Sequence, residues 1–138
     1  MTRAATVLHV DDDEALRRLV EEMFKQEAPD LDYVSAGSTE AALEALSDIE
    51  PPIVLLLDRR LPATDIWGFR DEVAGTLDRV SVPTFVLSGS EHPDDVAEAY
   101  AKGAVAYLEK PVDADGFGRI ASLIDRYTEV ATMPGPEA

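Results

Sequence analysis

The chain of 138 residues contains no cysteine, so neither a disulfide framework nor a thiolate metal site is available to it. Basic residues are also few, since 12 lysines and arginines stand against 28 acidic residues. The resulting net charge is −16, and the isoelectric point is near 4.2. Such a surface repels the phosphates of nucleic acids and of anionic lipids. We therefore expect no direct binding to nucleic acid or to a membrane.

Long apolar segments are lacking as well. The strongest apolar run is Ile53 to Leu57, far shorter than a transmembrane helix, and the first residues lack the apolar stretch of a secretory leader. These features predict a cytoplasmic protein. A chain of this length that is 46% hydrophobic supports one core, and we expect one domain over residues 1–130 with a flexible tail at 131–138.

Short runs rich in leucine and β-branched residues alternate five times with helical patterns. After the first run, Leu16, Leu19 and Met23 recur at helical spacing, and Ser38 or Thr39 is suited to cap the second helix. This alternation is typical of βαβ units and predicts a parallel sheet with helices on both faces.

Polar residues follow the apolar runs where four of the predicted strands end. Because the carboxyl ends of parallel strands share one edge, these side chains should converge. Closely packed carboxylates repel one another unless a hard cation lies among them, and Mg²⁺ accepts such oxygen ligands. The pattern predicts a metal-assisted, phosphoryl-accepting site. Its members are Asp11, Asp12 and Asp13 after the first run, Asp58 after the third, Ser88 after the fourth and Lys110 after the fifth.

Four motifs occur in this order along the chain. They are Val10-Asp11-Asp12-Asp13, Leu57-Asp58-Arg59-Arg60-Leu61-Pro62, Leu87-Ser88-Gly89 and Tyr107-Leu108-Glu109-Lys110-Pro111. In this combination the chain, from Thr6 to about Val130, resembles the response-regulator receiver domains of two-component signalling. The resemblance implies a doubly wound, flavodoxin-like (βα)5 fold, with a five-stranded parallel sheet in the order 2-1-3-4-5 and helices on both faces.

The resemblance also implies roles for individual residues. Asp58 would accept a phosphoryl group from a sensor histidine kinase. Asp12 would bind Mg²⁺ directly, Asp11 would do so through water or by orienting the site, and the backbone carbonyl of Arg60 would complete the protein's ligands. Asp13 is instead suited to cap the first helix.

Three further residues match family positions. Lys110 and Ser88 would stabilise the charge on the phosphoryl oxygens, and Ser88 would act with Tyr107 as a conformational switch. Taken singly, they also fit a solvated lysine, a turn serine and an ordinary strand aromatic. The Lys110–Pro111 peptide bond is cis in the family, which would fix the direction of the ammonium group, whereas the sequence alone gives only the low base rate of cis X-Pro bonds. His9, in mid-strand, is expected in the core.

Two positions depart from the family pattern. Asp65-Ile66 stands where receivers usually carry Asp-Gly, and the glycine is delayed to Gly68. Because Ile66 would be strained at positive φ, the loop that begins near Pro62 must follow another path. By resemblance, Arg60 occupies the position two residues after the acceptor, which varies within the family and lies beside the path of attacking water, so its bulk and charge would alter the phosphoryl lifetime.

Other functions fit the residues less well. Aspartate-based phosphatases carry a second aspartate two residues after the first, where this chain has Arg60. A flavodoxin-like cofactor binder needs a phosphate loop after strand one, and Asp11 to Asp13 would repel that phosphate. A pseudo-receiver that docks partners without phosphorylation stays open as an alternative. The expected partners are a sensor histidine kinase and a downstream protein, or an output domain on a longer chain.

The acidic excess is spread along the chain, which predicts adaptation to high salt. We expect the free energy of unfolding to rise from low to molar KCl, because screening reduces the repulsion among surface carboxylates. Urea denaturation at a series of KCl concentrations measures this, and unchanged stability across the series would count against the hypothesis.

Overall fold

The computed structural model describes residues 5–61, 65–78 and 82–133, and strands and helices alternate along them. The strands are β1 (Thr6–Val10), β2 (Asp32–Ala36), β3 (Ile53–Asp58), β4 (Thr84–Ser88) and β5 (Ala106–Glu109). The helices are α1 (Glu14–Glu27), α2 (Thr39–Ala45), α3 (Ile66–Thr76), α4 (Pro93–Ala101) and α5 (Ala114–Val130), with a short 3-10 turn, Leu46–Asp48, after α2.

The five strands form one sheet in the order β2-β1-β3-β4-β5, and every neighbouring pair is parallel. This confirms the predicted doubly wound fold and its strand order. The register aligns Val10 with Leu57, Asp58 with Leu87, and Ser88 with Glu109. The carboxyl ends of the four strands that carry site residues therefore lie at one edge of the sheet.

Apolar side chains cover both faces of the sheet, because neighbouring residues of a strand point in opposite directions. In β3, Leu55 and Leu57 belong to one core, with residues of α2, α3 and α4, while Val54 and Leu56 belong to the other, with residues of α1 and α5. All residues of β1 and β3 are buried, as expected for strands covered on both faces. We call these the α3 face and the α1–α5 face.

Side chains at the helix starts satisfy the first backbone N–H groups. Asp13 caps α1 by accepting from the Leu16 N–H, and Ser38 caps α2 by accepting from the Ala41 N–H, so both predicted caps are confirmed. The imidazole of His92 caps α4, where Pro93 occupies the first turn. Gly103, with φ of 90°, takes a left-handed conformation after α4.

The Asp65-Ile66 departure is resolved by an early helix start. Asp65 is the N-cap of α3, with φ of −86°, and its carboxylate accepts from the Trp67 N–H. Ile66 is the first helical residue and is buried, so it needs no positive φ, as predicted. A Cβ at Gly68 would lie 2.9 Å from Asp65 Oδ2, so the delayed glycine leaves space for this cap. The preceding residues, 62–64, lie outside the described ranges.

The last helix ends at Val130, and residues 134–138 lie outside the described part of the chain, so the flexible tail stays a prediction. Among the described helices, none combines the length and apolar character that a transmembrane span needs.

Candidate functional site

The carboxyl edge of the sheet brings together the predicted acidic and basic residues. Asp58 ends β3, Asp11 and Asp12 follow β1, and Lys110 follows β5. The Lys110 Nζ lies 3.1 Å from Asp58 Oδ2 and 3.4 Å from Asp11 Oδ2. Carboxylate oxygens of the three aspartates lie within 4.8 Å of one another. Residues 52 positions apart in the chain thus meet at one point.

The carboxylate of Asp58 is buried and held by two donors. Its Oδ1 accepts from the backbone N–H of Arg60 at 2.9 Å, and its Oδ2 accepts from Lys110 Nζ. The first donor comes from the turn that follows β3, and the second comes from the end of β5. These two bonds fix the plane of the carboxylate, while the Arg60 side chain is exposed.

Asp11 has no exposed surface, and its two oxygens differ. Oδ1 accepts from the Asp13 N–H at 2.9 Å, whereas Oδ2 has no hydrogen-bond partner among the described residues. Burial raises the pKa of Asp11, and the neighbouring charge of Asp58 adds to the rise. The site therefore holds a buried acidic oxygen whose hydrogen-bonding capacity is not satisfied.

Lys110 supplies the positive charge between these two carboxylates. Burial lowers the pKa of Lys110, but the adjacent carboxylates of Asp58 and Asp11 outweigh this effect and raise it above its usual value. The ammonium group is therefore charged at neutral pH. The cis bond that the family has at Lys110–Pro111 is not found here, since in the described residues the cis peptide bond is Pro51–Pro52.

The donor set fits a hard divalent cation. Three clustered carboxylates supply oxygen ligands, and Asp11 Oδ2, which lies 3.4 Å from Lys110 Nζ but accepts no hydrogen bond among the described residues, is an acceptor that a cation would satisfy. Asp12 is exposed, so its carboxylate is accessible from solvent. The ligand role of the Arg60 carbonyl stays a prediction.

The predicted switch residues are linked through the loop between β4 and α4. Ser88 is buried, and its Oγ accepts from the Ser90 N–H at 3.0 Å. The Tyr107 hydroxyl donates to the Ser90 carbonyl at 2.6 Å, and the ring is half-buried against the α3 face. Ser90 thus joins the two predicted switch residues, which form no hydrogen bond with each other in these contacts.

Three polar contacts near the site were not predicted. Arg59 Nη2 donates to Asp95 Oδ1 at 2.7 Å, and Ser90 Oγ donates to Asp95 Oδ2 at 3.1 Å, so α4 is tied to the residue that follows Asp58. Arg17 Nη1 donates to the Asp11 carbonyl at 2.6 Å. The sequence shows a basic residue, Arg59, directly after Asp58, but it does not indicate that the partner of Arg59 lies 36 residues away.

His9 is confirmed as a core residue, with no exposed surface. Burial lowers its pKa to about 3, so the imidazole is neutral at physiological pH. Its Nδ1 lies 2.6 Å from the Tyr33 hydroxyl. Burial also raises the pKa of Tyr33, so this hydroxyl keeps its proton.

Comparisons with known proteins agree with this geometry. The chain is 29% identical over 133 residues to the transcriptional regulatory protein PdtaR of Mycobacterium tuberculosis, covering 96% of this chain and 62% of that protein. It is 30% identical over 121 residues to the cell cycle response regulator CtrA of Brucella ovis, covering 87% and 50%. The chain thus spans little more than half the length of these relatives.

Solved structures of response regulators also superpose on this chain. The Mn²⁺-bound response regulator Rcp1 superposes with a TM-score of 0.73 and 27% identity, over 94% of this chain and 99% of that one. The phosphorylated cyanobacterial phytochrome response regulator RcpA superposes with a TM-score of 0.75 and 25% identity, over 96% and 99%. The model of the response regulator receiver domain matches residues 7–120. With its fold, its acidic cluster and this match, the chain belongs to the response regulator receiver domain family of two-component signalling.

Proposed function

We propose that the chain accepts a phosphoryl group on Asp58 from a sensor histidine kinase, with Mg²⁺ bound at the aspartate cluster. The observation that carries this proposal is the orientation of the Asp58 carboxylate by the Arg60 N–H and Lys110 Nζ, beside two further aspartates. A carboxylate oxygen of Asp58 attacks phosphorus, an O–P bond forms, and the P–N bond to the kinase histidine breaks. The released imidazole nitrogen takes a proton or keeps its lone pair.

Lys110 and the cation would divide the electrostatic work. The phosphoryl group brings negative charge to an edge that already holds two buried carboxylates. Bound Mg²⁺ would offset the charge on the phosphoryl oxygens. Lys110 lies between Asp58 and Asp11 in the described structure, so it is placed to follow the added charge with a small side-chain movement.

The signal would leave the site through the loop between β4 and α4. A phosphoryl oxygen near Asp58 offers the Ser88 hydroxyl a charged acceptor, while the same oxygen atom of Ser88 now accepts from the Ser90 N–H. Any movement of Ser88 changes the position of Ser90, which also binds Tyr107 and Asp95. The surface of α4, β5 and α5 would therefore report the phosphorylation state to a downstream protein or output domain.

The relatives support a regulatory role without fixing the output. One is called a transcriptional regulatory protein and the other a cell cycle response regulator, and both extend beyond the matched region. A histidine kinase phosphorylates itself from ATP, so we place the chain in the cytoplasm with the kinase's catalytic domain.

Asp58→Asn tests the acceptor. We expect incubation with acetyl phosphate and Mg²⁺ to add one phosphoryl group to the wild type and none to the variant, because an amide is a poor nucleophile. Intact-mass spectrometry measures this. Asp30→Asn, a matched change of charge at an exposed position after α1, should behave as the wild type. A wild type that stays unmodified would favour the pseudo-receiver, and modification of Asp58→Asn would move the acceptor elsewhere.

Asp11→Asn tests the metal site through stability. The raised pKa of Asp11 means that its ionised form destabilises the folded state at neutral pH, so without metal the variant should be more stable, by on the order of 1 kcal/mol. The advantage should shrink as the pH falls and the wild-type carboxyl takes up a proton. Mg²⁺ should stabilise the wild type more than the variant. Urea denaturation with EDTA or Mg²⁺ measures both effects, and an equal response to Mg²⁺ would contradict the metal role.

Arg60→Asn tests the residue beside the acceptor. The exposed Arg60 side chain follows the Asp58 carboxylate, so its loss should open the path of water to the phosphoryl group. We expect phosphorylation to persist and the phosphoryl group to decay severalfold faster. Decay followed by intact mass after removal of acetyl phosphate measures this, with Arg18→Asn on the exposed side of α1 as the control. Equal decay rates for Arg60→Asn and wild type would remove the idea.

A further inference from the structure

His9 lies two residues before Asp11, and this spacing places both side chains on the α1–α5 face of the sheet. One ring nitrogen, Nδ1, lies 2.6 Å from the Tyr33 hydroxyl. The other, Nε2, lies 3.9 Å from Asp11 Oδ2. The imidazole thus stands between a tyrosine hydroxyl and a residue of the acidic cluster.

His9 Nε2 and Asp11 Oδ2 both lack a hydrogen bond among the described residues. Among the described residues, His9 Nε2 and Asp11 Oδ2 are the buried side-chain nitrogen and oxygen atoms without a hydrogen-bond partner. A buried polar atom left without a hydrogen-bond partner destabilises the folded state. Asp11 Oδ2 has the Lys110 ammonium group at 3.4 Å, but His9 Nε2 has no hydrogen-bond partner, and Asp11 Oδ2 lies 3.9 Å from it. This proximity indicates one interaction that is slightly too long for a hydrogen bond.

The Tyr33 hydroxyl decides which ring nitrogen carries the proton. It lies 2.6 Å from His9 Nδ1 and 3.3 Å from the Arg17 carbonyl, and it has a single proton to donate. If Arg17 receives that proton, Nδ1 must carry the imidazole proton, and the lone pair of Nε2 then faces a carboxylate oxygen. If Nδ1 receives it, Nε2 carries the proton and faces Asp11 Oδ2 as a donor.

The second arrangement is favoured on electrostatic grounds. Both arrangements keep the 2.6 Å contact between His9 Nδ1 and the Tyr33 hydroxyl, but only the second sets a donor rather than an acceptor against a buried carboxylate. The Tyr33 ring is stacked on Phe24, with 5.2 Å between centroids and 27° between planes, so packing holds the hydroxyl in place. The α1–α5 core therefore supports the orientation of the imidazole.

We propose that His9 is a positioning residue for the metal site: the Tyr33 hydroxyl fixes the imidazole so that its Nε2–H is directed at Asp11 Oδ2 and orients that carboxylate for Mg²⁺. This inference rests on the proposed metal site. A closure of about 1 Å would bring the pair to ordinary hydrogen-bond distance. An oxygen that accepts from Nε2–H keeps a second lone pair for the cation or for a water bound to it.

The orienting partners of metal ligands usually change metal affinity by about 10- to 100-fold when they are removed. We therefore expect His9→Phe, which keeps a ring in the core but has no donor, to weaken Mn²⁺ binding by about tenfold or more. His9→Gln, whose amide nitrogen lies near the position of Nε2, should restore most of the affinity. Tyr33→Phe keeps the stacked ring and removes the hydroxyl, so it should give an intermediate loss.

Mn²⁺ affinity measured by electron paramagnetic resonance compares these variants. His92→Phe is the matched control, since it changes the chain's other histidine, an exposed helix cap. Urea denaturation in EDTA confirms that each variant folds. Affinity in His9→Phe equal to that of the wild type would overturn the inference while leaving the metal site intact. A wild type that binds no Mn²⁺ would defeat the proposed metal site itself, and with it the role of His9.

The tautomer gives a second test that needs no variant and no metal. In the metal-free wild type, two-bond proton–nitrogen correlation spectra distinguish an Nε2–H from an Nδ1–H imidazole, and the chain has two histidines to assign. We expect His9 to be the Nε2–H tautomer, and to shift toward a mixture in Tyr33→Phe. An Nδ1–H tautomer in the wild type would overturn the inference, even if a His9 variant failed to fold.

Discussion

The electrostatic balance between two buried carboxylates and one ammonium group is the constraint on which the site depends. Asp11 and Asp58 are both removed from water, and Lys110 lies within ion-pair distance of each. One ammonium cannot fully offset two carboxylates in a poorly solvated place, and burial, together with the charge of Asp58, raises the pKa of Asp11. This charge deficit favours the cation binding that we propose, and the rest of the fold must supply the stability that the site lacks.

The sheet stabilises the close approach of Asp11 and Asp58 because it fixes the backbone to which each carboxylate is attached. β1 and β3 are central strands with every residue buried, so the edge from which Asp11 and Asp58 project cannot relax apart. Backbone bonds extend the ladder past the strand ends, from the Asp11 N–H to Ala36 and from the Lys110 N–H to Ser88. Main-chain hydrogen bonds and core packing therefore keep the carboxylates of Asp11 and Asp58 close together despite their repulsion.

Strand ends could be predicted from the sequence, whereas side-chain contacts between distant elements could not. Asp58 and Lys110 each follow an apolar run that predicts a strand. Once these strands are placed in a parallel sheet in the right order, the two residues are expected at the same edge. The contacts of His9 with Tyr33 and of Arg59 with Asp95 depend on rotamers and on how β2 and α4 pack, which no local pattern reports. The identity of Ile66 predicts that the loop avoids positive φ at this position. The helix start found there could not be predicted, because it depends on the cap by Asp65 and on the space at Gly68. The family's cis bond at Lys110–Pro111 has no local sequence signal beyond the low base rate for X-Pro, and it is not found among the described residues.

Because side chains alternate along a strand, the residues around the acidic cluster and the residues linked to Ser88 lie on opposite faces of the sheet. Asp58 shares its side of β3 with Val54 and Leu56, so it projects toward the α1–α5 face, where His9 and Tyr33 also lie. Ser88 shares its side of β4 with Val86, and Tyr107 packs against the α3 face, where α4 is tied to Arg59 through Asp95. Groups that hold the acidic cluster thus stand on one side of the sheet, and groups that would transmit its state stand on the other. The phosphoryl group that we propose on Asp58 would stand at the end of β3, whose two neighbours, β1 and β4, carry members of both sets. Because the two sets share no side chain, substitutions in one are free to change metal affinity while the contacts of the other persist.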